Sequence, residues 1–492
     1  MRPRQALHSR RAHRALALAS AVALAHPALA QTPPGAARAD GPAAASPGQQ
    51  VDALFARWHT PQTPAAAVLV MRDGRIVHAK GYGMASLEQG VPIRTRTVFD
   101  IASVSKQFGA MAILLLVADG RLALDDEVRR YVPELPDFGH PITVRHLVHH
   151  TSGLRDWPGT LRIAGWSFDD VISFDQILRM TYNQRDLNFP PGSAYAYSNT
   201  GYNVLAEVVQ RVSGKSFREF TDERIFRPLG MHDTHFHDDH AMIVPQLADS
   251  YRRLPDGSHR RVTNNLTALA SSSLFTTVED LARWVENYET GVVGGRTTVA
   301  QSHERGVLTN GDTIPYAFGQ SHGSYRGLRT MSHTGSWAGY RTVLTRFPDA
   351  RAAVIILSNT AEMNPAALAN QVADIWLHDL LAPRAAATAG AAGAGAPAAP
   401  TWRPTATELR AFVGDYHSAE LQTGYTLRLR ESGQLVAWHF RIGEVVLNPT
   451  TRDRFQSGLF GELRVERDPA GRVTGFTANS DRVRGLRFVR VR

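Results

Sequence analysis

The chain has 492 residues, with 54 basic and 45 acidic side chains, a net charge of +9 and no cysteine. The absence of cysteine excludes disulfides, a thiol nucleophile and thiolate zinc sites. Five of the basic residues are arginines among the first 30 residues, which hold no acid; the rest of the chain therefore carries only +4, and composition gives no support for nucleic-acid binding.

Residues 1–30 have the pattern of a secretory signal peptide. The arginine-rich start is followed by an apolar stretch at 15–25 and by Ala28-Leu29-Ala30, a small-x-small cleavage site. We therefore expect an exported protein, periplasmic or secreted. No later apolar run reaches about 20 residues, so we expect no transmembrane anchor after signal cleavage. Residues 31–50 are rich in Pro, Ala and Gly and are expected to form a disordered leader.

Two predicted hairpins bracket the central part of the chain. The first joins the apolar runs 65–71 and 75–79, and the second joins 340–347 and 352–357. Helical spacing follows over 366–381, and helix and loop signals fill the stretch between the hairpins. Strands at both ends with helices between them predict an α+β fold, in which a sheet closed by the two ends of the domain carries a helical insertion.

The end of the chain has a different pattern. Residues 385–400 are almost wholly Ala, Gly, Thr and Pro, a composition typical of a linker that cannot bury a core. Beyond the linker, short alternating runs such as 425–430 and 486–491 are separated by turns that contain glycine. The pattern predicts a small β-barrel at 401–492, after a main domain at 51–384.

Ser103 and Lys106 form a Ser-x-x-Lys pair in a chain whose only lysines are Lys80, Lys106 and Lys215. Such an arginine-rich chain replaces lysine wherever charge alone matters. Arginine never gives up its proton, whereas a buried lysine amine can be neutral near pH 7. Residues three apart share a helix face, so Lys106 can reach the Ser103 oxygen and act as its base. The alternative is a helix-cap serine followed by a surface lysine.

Residues 195–202 add a phenol and a carboxamide, Tyr197 and Asn199, two positions apart. In a loop or extended turn both side chains can project into one cavity. A phenol near a lysine ammonium can have its pKa lowered and can then carry a proton. The same residues would also fit an ordinary turn with a core tyrosine.

The segment Ser332-His333-Thr334-Gly335-Ser336 lies just before the second hairpin, on a strand or at its entry. Gly335 would allow the backbone of a substrate to approach closely, and Ser336 offers a backbone N–H. Taken alone, the segment is equally an ordinary strand end.

The three segments, in this order and at these intervals, resemble the penicillin-recognising serine hydrolases: class C β-lactamases, DD-carboxypeptidases, and related esterases and D-aminopeptidases. The resemblance covers about residues 51–382 and includes 149–154, Pro191-Gly192 and 228–231. It implies a β-lactamase-like antiparallel sheet with flanking helices and a helical subdomain. Gly414-Asp415-Tyr416 resembles part of the lipocalin-like barrel that some members carry. For this barrel, a packing role is favoured over shaping of the substrate entrance.

The resemblance also implies the catalytic roles. Ser103 is the nucleophile, Lys106 is the base, and Tyr197 delivers a proton to the leaving group. The backbone N–H groups of Ser103 and Ser336 form the oxyanion hole. These roles agree with what an acyl-enzyme mechanism needs: a nucleophile, an adjacent base, an acid for departure and two converging donors.

The substrate-binding residues implied by the resemblance are Asn199, His333, Thr334 and Gly335. Asn199 would hold the substrate amide, and His333 and Thr334 would face a substrate carboxylate or the Tyr197 oxygen. Many β-lactamases of this type have lysine where His333 stands, and a histidine that is mostly neutral at pH 7 attracts a carboxylate less strongly. The expected substrates are small molecules or short peptides.

Three functions remain open from the sequence. The first is hydrolysis of D-amino-acid peptides or β-lactams, and the second is hydrolysis of small esters. The third is a non-catalytic protein of the same fold that senses peptidoglycan fragments or β-lactams. No cofactor and no metal are expected, because the mixed spacings of His232, His235, His237 and His240 lack a recognisable ligand geometry. The sequence does not indicate an oligomeric state.

Overall fold

The computed structural model describes residues 45–384 and 402–491. The predicted signal peptide 1–30, most of the leader and the linker 385–400 lie outside the described residues. The helix Pro47–Phe55 begins inside the stretch 31–50 that was expected to be disordered, so that expectation is wrong for its last residues. A capping box between Ser46 and Gln49 fixes the start of this helix.

The elements have the following bounds. The helices are α1 (Pro47–Phe55), α2 (Lys106–Ala118), α3 (Val144–Val148), α4 (Trp157–Ile163), α5 (Phe174–Tyr182), α6 (Asn199–Ser213), α7 (Phe217–Thr221), α8 (Arg227–Leu229), α9 (Val278–Thr290), α10 (Gly295–Gln301), α11 (Pro365–Trp376) and α12 (Ala406–Arg410). The strands up to residue 384 are β1 (Ala66–Arg72), β2 (Arg75–Tyr82), β3 (Met84–Ser86), β4 (Val91–Pro92), β5 (Phe99–Asp100), β6 (His235–Phe236), β7 (Tyr251–Arg253), β8 (His259–Arg261), β9 (Leu274–Thr276), β10 (Tyr316–Ala317), β11 (Gln320–Tyr325), β12 (Leu328–Trp337), β13 (Tyr340–Phe347) and β14 (Ala352–Ser358). The later strands are β15 (Gly414–Ser418), β16 (Thr423–Leu429), β17 (Leu435–His439), β18 (Gly443–Val446), β19 (Asn448–Thr451), β20 (Arg454–Ser457), β21 (Gly461–Arg467), β22 (Val473–Asn479) and β23 (Leu486–Arg490).

The main sheet is antiparallel, with the strand order β10-β11-β12-β13-β14-β1-β2. The two predicted hairpins are confirmed, and β1 pairs with β14 so that the two ends of the chain segment close the sheet. Alternate residues of β1 pack into different cores. Leu69 faces the large helical cluster, whereas Val68 and Val70 face the cluster formed with α1 and α11. The sheet is therefore covered on both faces, which explains why β1 reads as a continuous apolar run.

Helix α2 forms the centre of the helical side. Every residue from Lys106 to Leu116 is buried, as expected for a helix that is apolar around its whole circumference. Gly109 lies so close to Ala270 that an added Cβ would be 2.8 Å from the Ala270 Cβ. This packing places the first residue of the helix, Lys106, in the interior of the protein.

The strands β15 to β23 form one antiparallel sheet that curls into a nearly closed barrel. The two edge strands, β18 and β19, are consecutive in the chain and are separated only by Leu447. The predicted C-terminal β-barrel is thus confirmed. Its core contains large aromatic side chains such as Phe455, Phe476 and Phe488.

The barrel packs against α4, the short helix Trp157–Ile163. The Ile163 side chain belongs to the barrel core, and Tyr425 Oη donates a hydrogen bond of 2.7 Å to the Ile163 carbonyl. Next to the helix, Arg155 and Glu420 form a buried ion pair at 2.8 Å. Contacts of this kind fix the barrel on the element that borders the candidate site.

Candidate active site

Ser103 lies in a short helical turn, Ala102–Ser105, which runs into α2. Ala102 has a φ of 48°, a left-handed conformation that costs energy for a residue with a Cβ. The turn is held by Asp100, whose Oδ1 accepts the Ala102 N–H at 2.7 Å. This arrangement presents the half-buried Ser103 at the base of a cavity.

The Lys106 side chain meets three oxygens. Its Nζ lies 3.2 Å from Ser103 Oγ, 2.7 Å from Asn199 Oδ1 and 2.7 Å from the Ser271 carbonyl. Lys106 is fully buried, and no carboxylate among the described residues forms an ion pair with it. The geometry rules out the surface lysine that the sequence left open as an alternative.

Burial lowers the pKa of Lys106 well below its ordinary value. The carboxylate of Asp156 opposes this shift by raising the pKa, and the Arg482 guanidinium adds to it. The direction of this shift agrees with the interpretation of Lys106 as a buried lysine whose amine can lose its proton. A neutral amine near pH 7 is the form that can accept a proton.

Asn199 begins helix α6, which is capped by Ser198, and is not in a loop as the sequence indicated. Its Nδ2 lies 3.0 Å from Asp156 Oδ1, and its backbone N–H donates to the same oxygen at 2.7 Å. An ionised carboxylate can only accept hydrogen bonds, so the Asn199 amide presents its NH2 group to Asp156 and turns Oδ1 toward Lys106. Asp156 is thus a site residue that the sequence did not reveal.

The Tyr197 ring packs against Lys106 and His150. Lys106 Nζ lies 4.7 Å from the Tyr197 ring centroid, and the His150 ring centroid lies 4.3 Å from it. His150 also accepts the Ser198 N–H at 3.1 Å through Nδ1, which holds the segment in place.

The prediction that Lys106 lowers the pKa of Tyr197 is wrong. Burial raises the pKa of the phenol well above its ordinary value, and the nearby Ser103 hydroxyl only partly opposes the shift. Burial is the main cause, and the nearby Asp156 carboxylate and the Tyr202 phenol add to the increase. Tyr197 is therefore protonated and can act as a donor.

His333 is buried and engages both ring nitrogens. Nδ1 lies 2.7 Å from the Thr334 carbonyl, which can only accept, so Nδ1 carries the proton and Nε2 accepts from Tyr316 Oη at 3.1 Å. Burial lowers the pKa of His333 to about 3, with a smaller contribution from Lys106. His333 therefore contributes no positive charge to the site at neutral pH. Tyr316 is a second residue that the sequence did not reveal.

Gly335 meets the nucleophile turn. A Cβ at this position would lie 2.2 Å from the Ile101 carbonyl oxygen and 2.2 Å from Thr342 Oγ1. Thr342 Oγ1 donates to the same carbonyl at 2.8 Å, so β12 and β13 both contact the turn directly. The close approach attributed to a substrate backbone is thus made by Ile101. Ser336, the next residue, lines the cavity together with Ser103.

The cavity above Ser103 has a volume of about 1260 Å³. It is lined by all of the predicted site residues except Lys106 and Gly335, and one wall is aromatic. Arginines outnumber acidic residues in the lining, which comprises Arg162, Arg252, Arg341, Arg482 and Arg484 against Asp156, Asp169 and Asp481.

The C-terminal barrel contributes to this cavity. Asp481, Arg482 and Arg484 belong to the turn between β22 and β23 and lie in the cavity lining. The Arg482 guanidinium stacks over the Tyr197 ring at 4.9 Å and forms an ion pair with Asp156 at 3.3 Å. The preference for a packing role alone is therefore wrong, because the barrel also shapes the site.

Of the four histidines considered as metal ligands, His232 and His240 are exposed, whereas His237 is buried. His237 stacks on Phe275 with ring centroids 4.3 Å apart, and no group of three or more potential ligands is placed to hold a metal ion within residues 45–384 and 402–491. In the same ranges, none of the helices combines the length and apolar character needed to cross a membrane.

Comparison with known proteins gives consistent relatives. The family model described as Beta-lactamase matches residues 51–377. "Penicillin-binding protein 4*" of Bacillus subtilis (strain 168) is 32% identical over 313 residues, which cover 60% of this chain and 68% of that protein. "Esterase EstB" of Burkholderia gladioli is 38% identical over 209 residues, which cover 39% of this chain and 52% of the esterase.

A solved structure resembles both parts of the described chain. The octameric penicillin-binding protein homologue from Pyrococcus abyssi aligns over 90% of this chain and 99% of its own, with a TM-score of 0.60 and 21% sequence identity. At this identity the likeness concerns the fold.

Proposed function

The chain belongs to the beta-lactamase family of serine hydrolases, and we propose that it is an exported enzyme that forms an acyl-enzyme at Ser103. The observation that carries the proposal is the fully buried Lys106, with its Nζ 3.2 Å from Ser103 Oγ. The proposed export rests on the arginine-rich, apolar start of the chain and the small-x-small site at 28–30.

The contacts of Lys106 fit a neutral amine acting as a base. An uncharged amine has two hydrogens, and Asn199 Oδ1 and the Ser271 carbonyl, each at 2.7 Å, are acceptors for both. The remaining lone pair then faces the Ser103 hydroxyl. As Ser103 Oγ bonds to the substrate carbonyl carbon, its proton passes to Lys106 Nζ.

The remaining site residues stabilise the oxyanion and move the protons. The carbonyl oxygen becomes an oxyanion, which the backbone N–H groups of Ser103 and Ser336 stabilise. When this intermediate collapses, the bond to the leaving group breaks, and the protonated Tyr197 phenol supplies the proton that the leaving group needs. The Lys106 ammonium then returns a proton to the phenol. Attack by water on the ester bond between Ser103 and the acyl group then releases the acyl group as a carboxylic acid and restores the Ser103 hydroxyl.

The charge of the cavity favours a substrate with a carboxylate. His333 is neutral, but five arginines and three aspartates line the space, which gives an excess of positive charge. D-amino-acid peptides with a free C-terminus and β-lactams both carry this group. We therefore propose that D-amino-acid peptides or β-lactams are the substrates, and that they are preferred over neutral esters.

A matched pair of peptides tests the substrate class. We expect a peptide ending in D-Ala-D-Ala to be cleaved at least about tenfold faster, as kcat/KM, than the same peptide with a C-terminal amide, because one good ionic contact contributes about 1.4 kcal/mol or more. Nitrocefin and p-nitrophenyl acetate are measured beside them. Equal rates for the acid and the amide would contradict recognition of the carboxylate.

Ester hydrolysis is the second candidate. It is favoured by the aromatic wall, in which the ring centroid of Trp337 lies 5.7 Å from that of Trp157 and 5.1 Å from that of Phe168. The likeness to Esterase EstB also favours it. Turnover of p-nitrophenyl acetate alone in the panel above would select this function. A stable acyl-enzyme without turnover of any member would instead indicate a sensing protein.

A further inference from the structure

The ion pair between Arg482 of the barrel and Asp156 is linked to Lys106 by a chain of side-chain contacts. Arg482 NH1 lies 3.3 Å from Asp156 Oδ2, Asp156 holds the Asn199 amide, and Asn199 Oδ1 lies 2.7 Å from Lys106 Nζ. Asp156 is almost fully buried, whereas the Arg482 side chain is 48% exposed. A barrel residue at the mouth of the cavity is thus connected to the base by two intervening side chains.

The backbone of the barrel turn is fixed independently of this ion pair. The Arg482 carbonyl accepts the Asp156 N–H at 3.1 Å and Asn188 Nδ2 at 3.0 Å. The buried Val483 packs on Gly159 of α4, where an added Cβ would lie 2.9 Å from Val483 Cγ2. The Arg482 guanidinium is therefore not needed to hold the turn, which leaves its charge as the property that matters at the site.

We propose that Arg482 is a positioning residue supplied by the barrel, whose positive charge compensates the negative charge of Asp156. Asp156 can then hold the Asn199 amide in place without stabilising the protonated form of Lys106. The inference rests on the proposed function, in which Lys106 must be neutral to act. A single buried anion beside a lysine favours the ammonium, and a guanidinium on the far side of that anion opposes its effect. The hydrolase and the barrel would then form one catalytic unit.

The groups that face Lys106 leave Asp156 and Arg482 as its charged neighbours. His150 and His333 are buried and neutral, since burial lowers both of their pKa values. Tyr197 and Tyr202 place their rings 4.7 Å and 5.5 Å from Nζ, and burial keeps both phenols protonated by raising their pKa. Removal of either charge should therefore move the titration of Lys106, in opposite directions.

The experiment measures the rate at which a neutral fluorophosphonate labels Ser103, as a function of pH, in the full chain. The probe carries no carboxylate, so any contact between Arg482 and a substrate does not affect the result. We expect the inflection of Arg482→Gln to lie about one pH unit above that of the wild type, with labelling about tenfold slower below it. Asp156→Asn should shift the inflection downward, and Arg482→Lys should restore it.

The matched control is Arg441→Gln, which breaks another ion pair between the barrel and the hydrolase, to Asp170 at 2.7 Å, and should leave the inflection unchanged. The inference is overturned if Arg482→Gln, whose half-exposed side chain is not needed for folding, keeps the wild-type inflection. It is also overturned if Arg482→Gln and Asp156→Asn shift in the same direction. Either result leaves acylation at Ser103 standing, whereas a wild type that is not labelled at Ser103 would remove the proposed function itself.

Discussion

Replacing Lys106 with arginine is expected to lower the rate of acylation by on the order of 10² to 10⁴-fold. The substitution keeps a cation of similar length but removes the amine that lies beside Ser103 and can accept its proton. The rate should be measured by single-turnover labelling of the folded variant with a fluorescent penicillin or a fluorophosphonate. A rate like that of the wild type would show that Lys106 is not the base.

The two other lysines provide matched controls. Lys80 pairs with Asp52 at 2.9 Å and Lys215 pairs with Glu223, both at exposed positions. Arginine can make the same contacts, so Lys80→Arg and Lys215→Arg should label at the wild-type rate.

In the wild type the rate of labelling should rise with pH through the lowered pKa of Lys106, because only the neutral amine accepts the proton. This inflection belongs to Lys106 or to Lys106 and Tyr197 titrating together.

Gly335→Ala is expected to reduce acylation by on the order of 10²-fold. The new methyl group would lie 2.2 Å from the Ile101 carbonyl oxygen, so the nucleophile turn must move away from β12. Such a shift separates the N–H of Ser103 from that of Ser336 and spoils the oxyanion hole. The measurement is the labelling rate of folded protein, with the folded fraction taken from circular dichroism.

Gly201→Ala is the control for this substitution. Gly201 lies two residues after Asn199, inside α6, and a Cβ there would come no closer than 3.5 Å to its neighbours, an ordinary contact. Alanine also favours the helix. Normal acylation in both alanine variants would show that the tight fit at Gly335 does not hold the oxyanion hole.

Sequence patterns predicted the parts of the fold that depend on local chemistry. The hairpins at 66–82 and 340–358 are visible because apolar runs are interrupted by strong turn signals. The helix predicted over 366–381 ends earlier, at Trp376. In the barrel, β15, β19, β20 and β22 have little sequence signal, because short strands with glycine or mixed polarity carry a weak periodic pattern.

The candidate site divides in the same way. Ser103, Lys106, Tyr197 and His333 could be found because their spacing within short segments carries the resemblance to a known family. Asp156, Tyr316 and Arg482 could not, since their importance arises from contacts across the fold. Asp156 and Arg482 are 326 positions apart in the chain, and no local pattern encodes that an arginine in a barrel turn lies beside the site.

The same limit explains the error about Tyr197. The sequence placed a phenol and a lysine near each other and so indicated a lowered phenol pKa. It did not reveal that the pocket buries both groups, which lowers the pKa of the amine and raises the pKa of the phenol. The protonated phenol is better suited to the role of acid.

The most direct test of the central claim is to identify the labelled residue. After reaction with a fluorophosphonate and digestion with trypsin, the label should lie in the peptide 97–106, on Ser103 and not on Ser105, whose buried Oγ accepts the Leu274 N–H at 3.2 Å. Fragmentation of the peptide by mass spectrometry distinguishes the two serines. We expect folded Ser103→Ala to take up no label, whereas equal labelling of Ser103→Ala and the wild type would contradict the assignment of Ser103 as the nucleophile.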